Sequence, residues 1–328
     1  MKRAGWLLAI LLMESAAALA AATPSPALLV LNKADNALAI VDPASGKVVG
    51  LVPVGESPHE VSVSADGKLA FVSNYGSRNP GNTISVIDLV AQKETVRLNL
   101  GPLGRPHGLD VAGGKVYFTS EASKLIASYD VAQDRIDWMM GTGQDRTHMV
   151  ILTKDHNRIF TSNGGSNTIT AMEHIEGPAG WTSTQVPVGK APEAIDISPD
   201  GKEVWTAHRL DGGVSIIDVA AKKVVQTVDV HTKGSNRLKF TPDGKLVLIS
   251  DDAGGELVIV DAATRKEVKR IMIGQGPEGI QMVPDGSRAY IACSRDNKVA
   301  ILDLRTLEVT GSLSTGKNPD GMAWAERK

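Results

Sequence analysis

The residues best suited to chemistry form a regular series rather than a compact motif. Three histidines, His59, His107 and His148, are followed at similar intervals by Glu193, Asn236, Glu278 and Asp320. Imidazole and carboxylate are the ligands a transition metal takes, so His59, His107 and His148 are candidate metal ligands, with Glu193 and Glu278 as further donors. A metal held there would activate a water or carry electrons, and a transition-metal ion is the one cofactor the sequence suggests. Arg105 and Arg146 each lie two residues before a histidine, where a guanidinium would receive a carboxylate or phosphate. His208 adds a fourth imidazole to the set, out of seven in the chain.

A plainer reading competes with the metal. The spacing follows a repeat and matches no metal-ligand motif, and a polar side chain at such a point commonly bonds loop backbone. Side-chain alternation along a strand would also put the three histidines on the same face as Val61, Leu109 and Val150, an apolar face made for packing. The opposite parity carries Glu60, Asp110, Asp196, Arg237, Lys239 and Gln281. Other motifs fail on context: the GxGxxG match at Gly274–Gly279 opens a strand and leads into no helix, so it implies no dinucleotide. GxSxG, P-loop and CxxCH patterns are absent from the sequence.

The elements that must position these residues come from an internal repeat, which has to be sought before secondary structure. A short apolar run ending in an acid recurs at Asp42, Asp88, Asp130, Glu173, Asp218, Asp261 and Asp303, at spacings of 46, 42, 43, 45, 43 and 42 residues. A Pro-His or Pro-acid step keeps the same register at Pro58, Pro106, Pro192, Pro277 and Pro319. One unit reads as four short strands, EAIDISPD, GKEVWTAH, GVSIIDV and KKVVQTVDV, over residues 193–230. Asp-Gly at Asp66, Asp200, Asp243 and Asp285 predicts tight hairpins in which both central residues take φ > 0. The recurrent acid itself is a turn former whose carboxylate bonds nearby amides.

Four hairpin-linked strands at this period describe a propeller blade. Residues 28–54 supply only three strands and the tail after Pro319 only one, so the two termini together complete a seventh blade. The expected fold is therefore all-β: a seven-bladed propeller of four-stranded antiparallel blades, closed by N- and C-terminal strands that share one blade. Two places break the period, residues 77–83 and 174–184, the second bearing Trp181. Insertions of this kind are where repeat scaffolds carry specificity, and Trp181 equally suits packing under its own loop.

Residues 1–22 read as a signal peptide: Lys2 and Arg3, an apolar run from Trp6 to Met13, then small residues with cleavage after Ala20 or Ala22. Residues 23–328 are then a single propeller domain, periplasmic or secreted, with no membrane span in the mature chain. Without its leader the chain carries 33 basic and 36 acidic residues, a balance that weighs against nucleic-acid binding. The lone Cys293, in the run AYIAC, reads as a buried structural thiol.

Units such as GESPHEVSVSADGKLAFVSNYG and GQGPEGIQMVPDGSRAYIACSRDNKVAILDL resemble the YVTN-type β-propeller repeat proteins over nearly all of the mature chain. That resemblance implies the fold and leaves activity open, since such repeats occur in lactonase-like enzymes, haem-binding propellers and binding proteins alike. The leading expectation is an exported propeller that binds a small molecule or periplasmic protein partner at its channel mouth, without chemistry. The alternative is a metal-dependent hydrolase of lactonase type, or an oxidoreductase or redox accessory, using the His-rich rim. Nucleic-acid binding is the second alternative. The ligand-contacting set is the rim itself: His59, His107, His148, Glu193, Asn236, Glu278, Asp320, His208, Arg105 and Arg146.

Overall fold

Each repeat unit buries both faces of a small sheet, because strands such as Leu246–Asp251 and Glu256–Asp261 are buried along almost their whole length. A sheet that is apolar on two faces must lie between two others, and radial stacking satisfies every sheet at once. The computed structural model describes residues 22–177 and 180–328. Among these, seven four-stranded antiparallel sheets are arranged as blades around a channel. In chain order, blades 1 to 6 span residues 58–99, 106–141, 147–187, 192–229, 235–272 and 277–313. Blade 7 orders its strands as Pro319–Ala325, Ala27–Asn32, Ala37–Asp42 and Lys47–Pro53, so both termini zip into one sheet as expected. Val30 pairs with Met322, and Leu29 with Ala323.

The apolar side chains between neighbouring blades form the core. Leu29, Leu31, Val61 and Val72 belong to one such cluster, and Trp205, Leu238 and Ile249 to another. Cys293 is buried, and burial pushes its thiol up to about 11, which leaves it inert packing. Outer strands such as Lys223–Asp229 and Lys266–Met272 contain no buried residue and carry charged side chains, as a solvent-facing edge requires.

Local chemistry agrees with the repeat in most respects. The strand-end acids cap their turns: Asp42 accepts from the Ala44 amide at 3.0 Å, Asp88 from Ala91 at 2.8 Å and Asp303 from Thr306 at 2.8 Å. Glu173 departs from the series, its longer arm reaching Arg158 and Lys222 instead. The Asp-Gly hairpins also differ from expectation. Only the glycines, such as Gly67 at φ +71°, are left-handed. Asp66 instead uses its carboxylate to hold the Ser64 hydroxyl at 2.6 Å and the Lys68 amide at 3.1 Å.

The innermost strands are irregular where they begin. Every one of the seven carries a register shift just after its first residue, for example between Pro58 and Val61, Pro106 and Leu109, and Thr147 and Val150. An extra residue there is a β-bulge, which reverses the side-chain parity beyond it. The histidines therefore do not share the apolar face of Val61, Leu109 and Val150.

The blade packing sets a stability contrast. Leu29→Ala, at a fully buried position, should cost about 2–5 kcal/mol in urea denaturation. Val309→Ala, on an outer strand at 42 % exposure, should stay within about 0.5 kcal/mol of the parent.

Candidate functional site at the channel mouth

The bulge is held in place by side chains of the second strand. A bulged amide has lost its ladder partner, and a buried amide without one is costly. Thr119 Oγ1 accepts from the Gly108 amide at 2.9 Å and donates to the His148 carbonyl at 2.6 Å. Ser162 Oγ accepts from Met149 at 3.3 Å and donates to the Glu193 carbonyl at 3.0 Å. Ser250 Oγ does the same between Arg237, at 2.9 Å, and the Glu278 carbonyl, at 2.7 Å. Each hydroxyl thus fixes a bulge in its own blade and the backbone of the rim residue in the next.

The outcome is a single cavity of about 260 Å³ at the channel mouth. All seven residues of the series, His59, His107, His148, Glu193, Asn236, Glu278 and Asp320, line it, together with Arg146. The parity expectation that set the histidines between blades is therefore overturned, and the bulge is the physical reason.

Two of the sequence-selected residues do not line this cavity. His208 is fully buried at the end of its strand, with Nδ1 donating to Asp211 at 2.8 Å and Nε2 accepting from the Gly189 amide at 3.3 Å. Asn74 and Asp251 occupy the equivalent register position and likewise hold the loop arriving from the preceding outer strand. Arg105 stacks on Tyr75 at 4.8 Å and donates to the Ser77 carbonyl at 3.2 Å, outside the cavity.

Residues one step beyond these strand ends supply what sequence reasoning missed. Lys33, Tyr75, Arg209 and Asp252 follow directly on Asn32, Asn74, His208 and Asp251, and all four line the mouth. Glu121 and Ser294 hold the same register place and bind rim residues, and these two the repeat already puts on the rim in the sequence. Superposing the repeats one residue further along would have added Lys33, Tyr75, Arg209 and Asp252 to them.

The electrostatics divide the mouth into two buried ion-pair groups. On one side His148 donates from Nδ1 to Glu121 at 2.5 Å and lies 3.1 Å through Nε2 from Glu193, which Arg146 also contacts at 3.0 Å. Burial disfavours a charged His148, but the two carboxylates outweigh it and raise its pKa to about 9. Glu193 is correspondingly held down at about 2: burial opposes its charge, and His148 and Arg146 overcome that. On the other side Lys33 lies 2.6 Å from Glu278 and 3.1 Å from Asp320. Burial, with the Asp320 charge beside it, pushes Glu278 up to about 7.

Between these groups lie two neutral imidazoles. His107 lies against His148 at 3.8 Å, and burial together with that neighbouring positive charge holds its pKa well below the usual histidine value. His59 is lowered mainly by burial and donates from Nδ1 to the Ser57 carbonyl at 2.8 Å. The three histidines form a row of tilted, contacting rings with Tyr75 rather than a convergent set, and His148 commits both nitrogens to carboxylates. No group of three or more metal-ligating side chains comes together among the described residues.

Beneath the mouth, Arg237 reaches across the channel to Glu60 and touches Met149 Sδ at 3.1 Å. This partition separates the mouth from a lower chamber of about 450 Å³, lined by Glu60, Asp110, Asp196, Arg237, Lys239 and Gln281. The sequence sets each of them at the parity opposite to the rim residue of its own strand. Trp181, in the second period-breaking segment, packs at 5.3 Å from Trp138 on the outer side of the blades, away from the mouth.

Residues 107–288, more than half of the chain, match the family described as YNCE-like beta-propeller, and the protein belongs to that family. No curated protein matches the chain by sequence. Among solved structures it is similar to the periplasmic gluconolactonase of Pseudomonas aeruginosa, at 17 % identity and a TM-score of 0.75, with 93 % of this chain and 100 % of that one covered. A functionally unknown protein from Desulfotomaculum acetoxidans aligns at 11 % identity and a TM-score of 0.78 over 93 % and 100 % of the two chains. Hydrazine synthase of Kuenenia stuttgartiensis aligns at 19 % identity and 0.70 over 82 % and 92 %. Identities this low establish a shared fold and nothing about activity.

The His148 cluster predicts a pH signature. A histidine raised from about 6.5 to about 9 on folding contributes stability that is fully present below the unfolded pKa and is lost as pH rises through the folded one. Stability should therefore fall between about pH 6.5 and pH 9, by roughly 3 kcal/mol at most. Urea denaturation across that range should show the slope in the parent and a flatter profile in His148→Gln.

Proposed function

We propose that the protein binds a small polar molecule in the mouth cavity. One observation carries this reading: His107 Nδ1, Glu193 Oε2 and Asp320 Oδ1 are buried without a hydrogen-bond partner, and their three side chains line that cavity. An unsatisfied buried polar group costs about 1–3 kcal/mol, so three in one place point to a guest that completes them. The volume lies near the lower end of small-molecule pockets, about 300 Å³, which favours a compact ligand over a protein partner. Native mass spectrometry of protein purified gently from its own host should show a stoichiometric small adduct that is lost in His107→Ala. An adduct retained undiminished by that variant would overturn the reading.

A second reading, hydrolysis of a sugar lactone, is favoured by one specific arrangement. Neutral His107 lies against cationic His148, with Arg146 alongside, so a base stands beside groups able to stabilise an oxyanion. The fold is also that of the Pseudomonas aeruginosa gluconolactonase. Acid release from glucono-1,5-lactone in a pH-stat, abolished by His107→Ala, is the expected result for this reading; parent protein no faster than buffer excludes it. The metal-dependent version predicts stoichiometric metal that disappears in His107→Ala.

We take the protein to act outside the cytoplasm, with residues 1–22 removed; residues 1–21 lie outside the described residues. Support comes from the sequence, in which Lys2 and Arg3 precede an apolar run and then the small residues up to Ala22. The periplasmic form should begin at Ala21 or Thr23 on N-terminal sequencing. The likeness to YVTN-type repeats stands as the finer family reading.

A further inference from the structure

We infer that the mouth selects an uncharged, polyhydroxylated molecule and turns away phosphorylated or carboxylated counterparts of the same size; this rests on the binding reading above. The first reason is the state of the cations. Lys33 is held by Glu278 and Asp320, Arg146 by Glu193, and Arg209 by Asp252 at 2.8 Å. Arg237 is held by Glu60, and His148 by Glu121 and Glu193. Every cation lining the cavity therefore already has a carboxylate, and although Arg146 and Arg209 keep 41 % and 31 % of their side chains exposed, the carboxylates that hold these cations are largely removed from water. A phosphate or carboxylate entering here would have to displace a partner and strand that acid in a low-dielectric space.

The second reason is what remains unmade. Two of the three unpartnered atoms are carboxylate oxygens, which only accept, and the third is on a neutral imidazole. The guest must therefore bring hydrogen-bond donors, and hydroxyl groups supply them without charge. An ammonium guest would also donate, but Lys33 and Arg237 stand within 4 Å of Asp320 and oppose a further cation there.

Placement supplies the third reason. His107, Glu193 and Asp320 belong to blades 2, 4 and 7, no two of them adjacent in the ring. The three atoms thus belong to separate parts of the ring, and a ring bearing several hydroxyls presents donors in several directions. Tyr75 and the contacting imidazoles form an aromatic wall between His59 and His148, against which the less polar face of such a ring can lie.

The test is a binding panel on the full mature protein by calorimetry and saturation-transfer NMR. It sets neutral hexoses, pentoses, alditols and 1,5-lactones against hexose 6-phosphates and uronates. At least one neutral probe should bind, with its anionic counterpart weaker by about tenfold or more, equivalent to about 1.4 kcal/mol. Asp252→Asn, which removes the carboxylate shared by Arg209 and Arg295 while leaving the three unpartnered atoms intact, should narrow or reverse that preference. An anionic probe that binds the parent as tightly as its neutral counterpart overturns the selectivity; if His107→Ala abolishes that binding, the mouth reading survives. If no probe binds, or binding is indifferent to His107→Ala, both fail together. The comparison on the unaltered protein decides the matter even where Asp252→Asn folds poorly.

Discussion

A four-stranded sheet with two apolar faces can leave water only by lying between two other sheets, and this constraint governs the molecule. Seven such sheets in a ring satisfy it for every face, provided the ring closes. Closure falls to the pairing of Ala27–Asn32 with Pro319–Ala325, which joins segments nearly three hundred residues apart in sequence. With the termini held in one sheet, the seventh blade has all four of its strands, Pro319–Ala325 being the innermost.

The ring has a consequence at its axis. Seven innermost strands converge on a narrow channel, and the polar residues that begin them are forced close together. Charges that would be solvated on an open surface are here buried, so they persist only in pairs: Lys33 with Glu278 and Asp320, His148 with Glu121 and Glu193, Arg237 with Glu60. The pairing is nearly complete, and the three atoms it leaves out are therefore informative. Among the described residues, the buried side-chain atoms without a partner are one each on His107, Glu193 and Asp320, all of which line the mouth.

The bulges connect scaffold to site. By adding one residue at the start of each innermost strand, they turn the rim side chains away from the blade interface and into the mouth. The hydroxyls of Thr119, Ser162 and Ser250 make this possible, since they satisfy the displaced amide and tie it to the next blade. Rim geometry and blade stacking are in this way one system of hydrogen bonds. A change in one blade is felt at the rim residue of its neighbour.

The fold was legible in the sequence because it is written seven times over. Period, turn residues and apolar alternation are local properties, and the incomplete segments at residues 28–54 and after Pro319 announced that one blade is shared. The same superposition placed His59, His107, His148, Glu193, Asn236, Glu278 and Asp320 on one rim. It could not show which way they point, because a bulge is defined by pairing with another strand and leaves no mark in a single one. It could not separate His208, pinned by Asp211 and Gly189, from Lys33 or Arg209, one residue past equivalent strand ends. Nor could it give charge states: that His148 is cationic and the adjacent His107 neutral follows from which carboxylates the ring brings to each. Sequence determines what repeats along the chain, whereas the facing of side chains and the sharing of protons depend on distances across the channel, which only the closed ring sets.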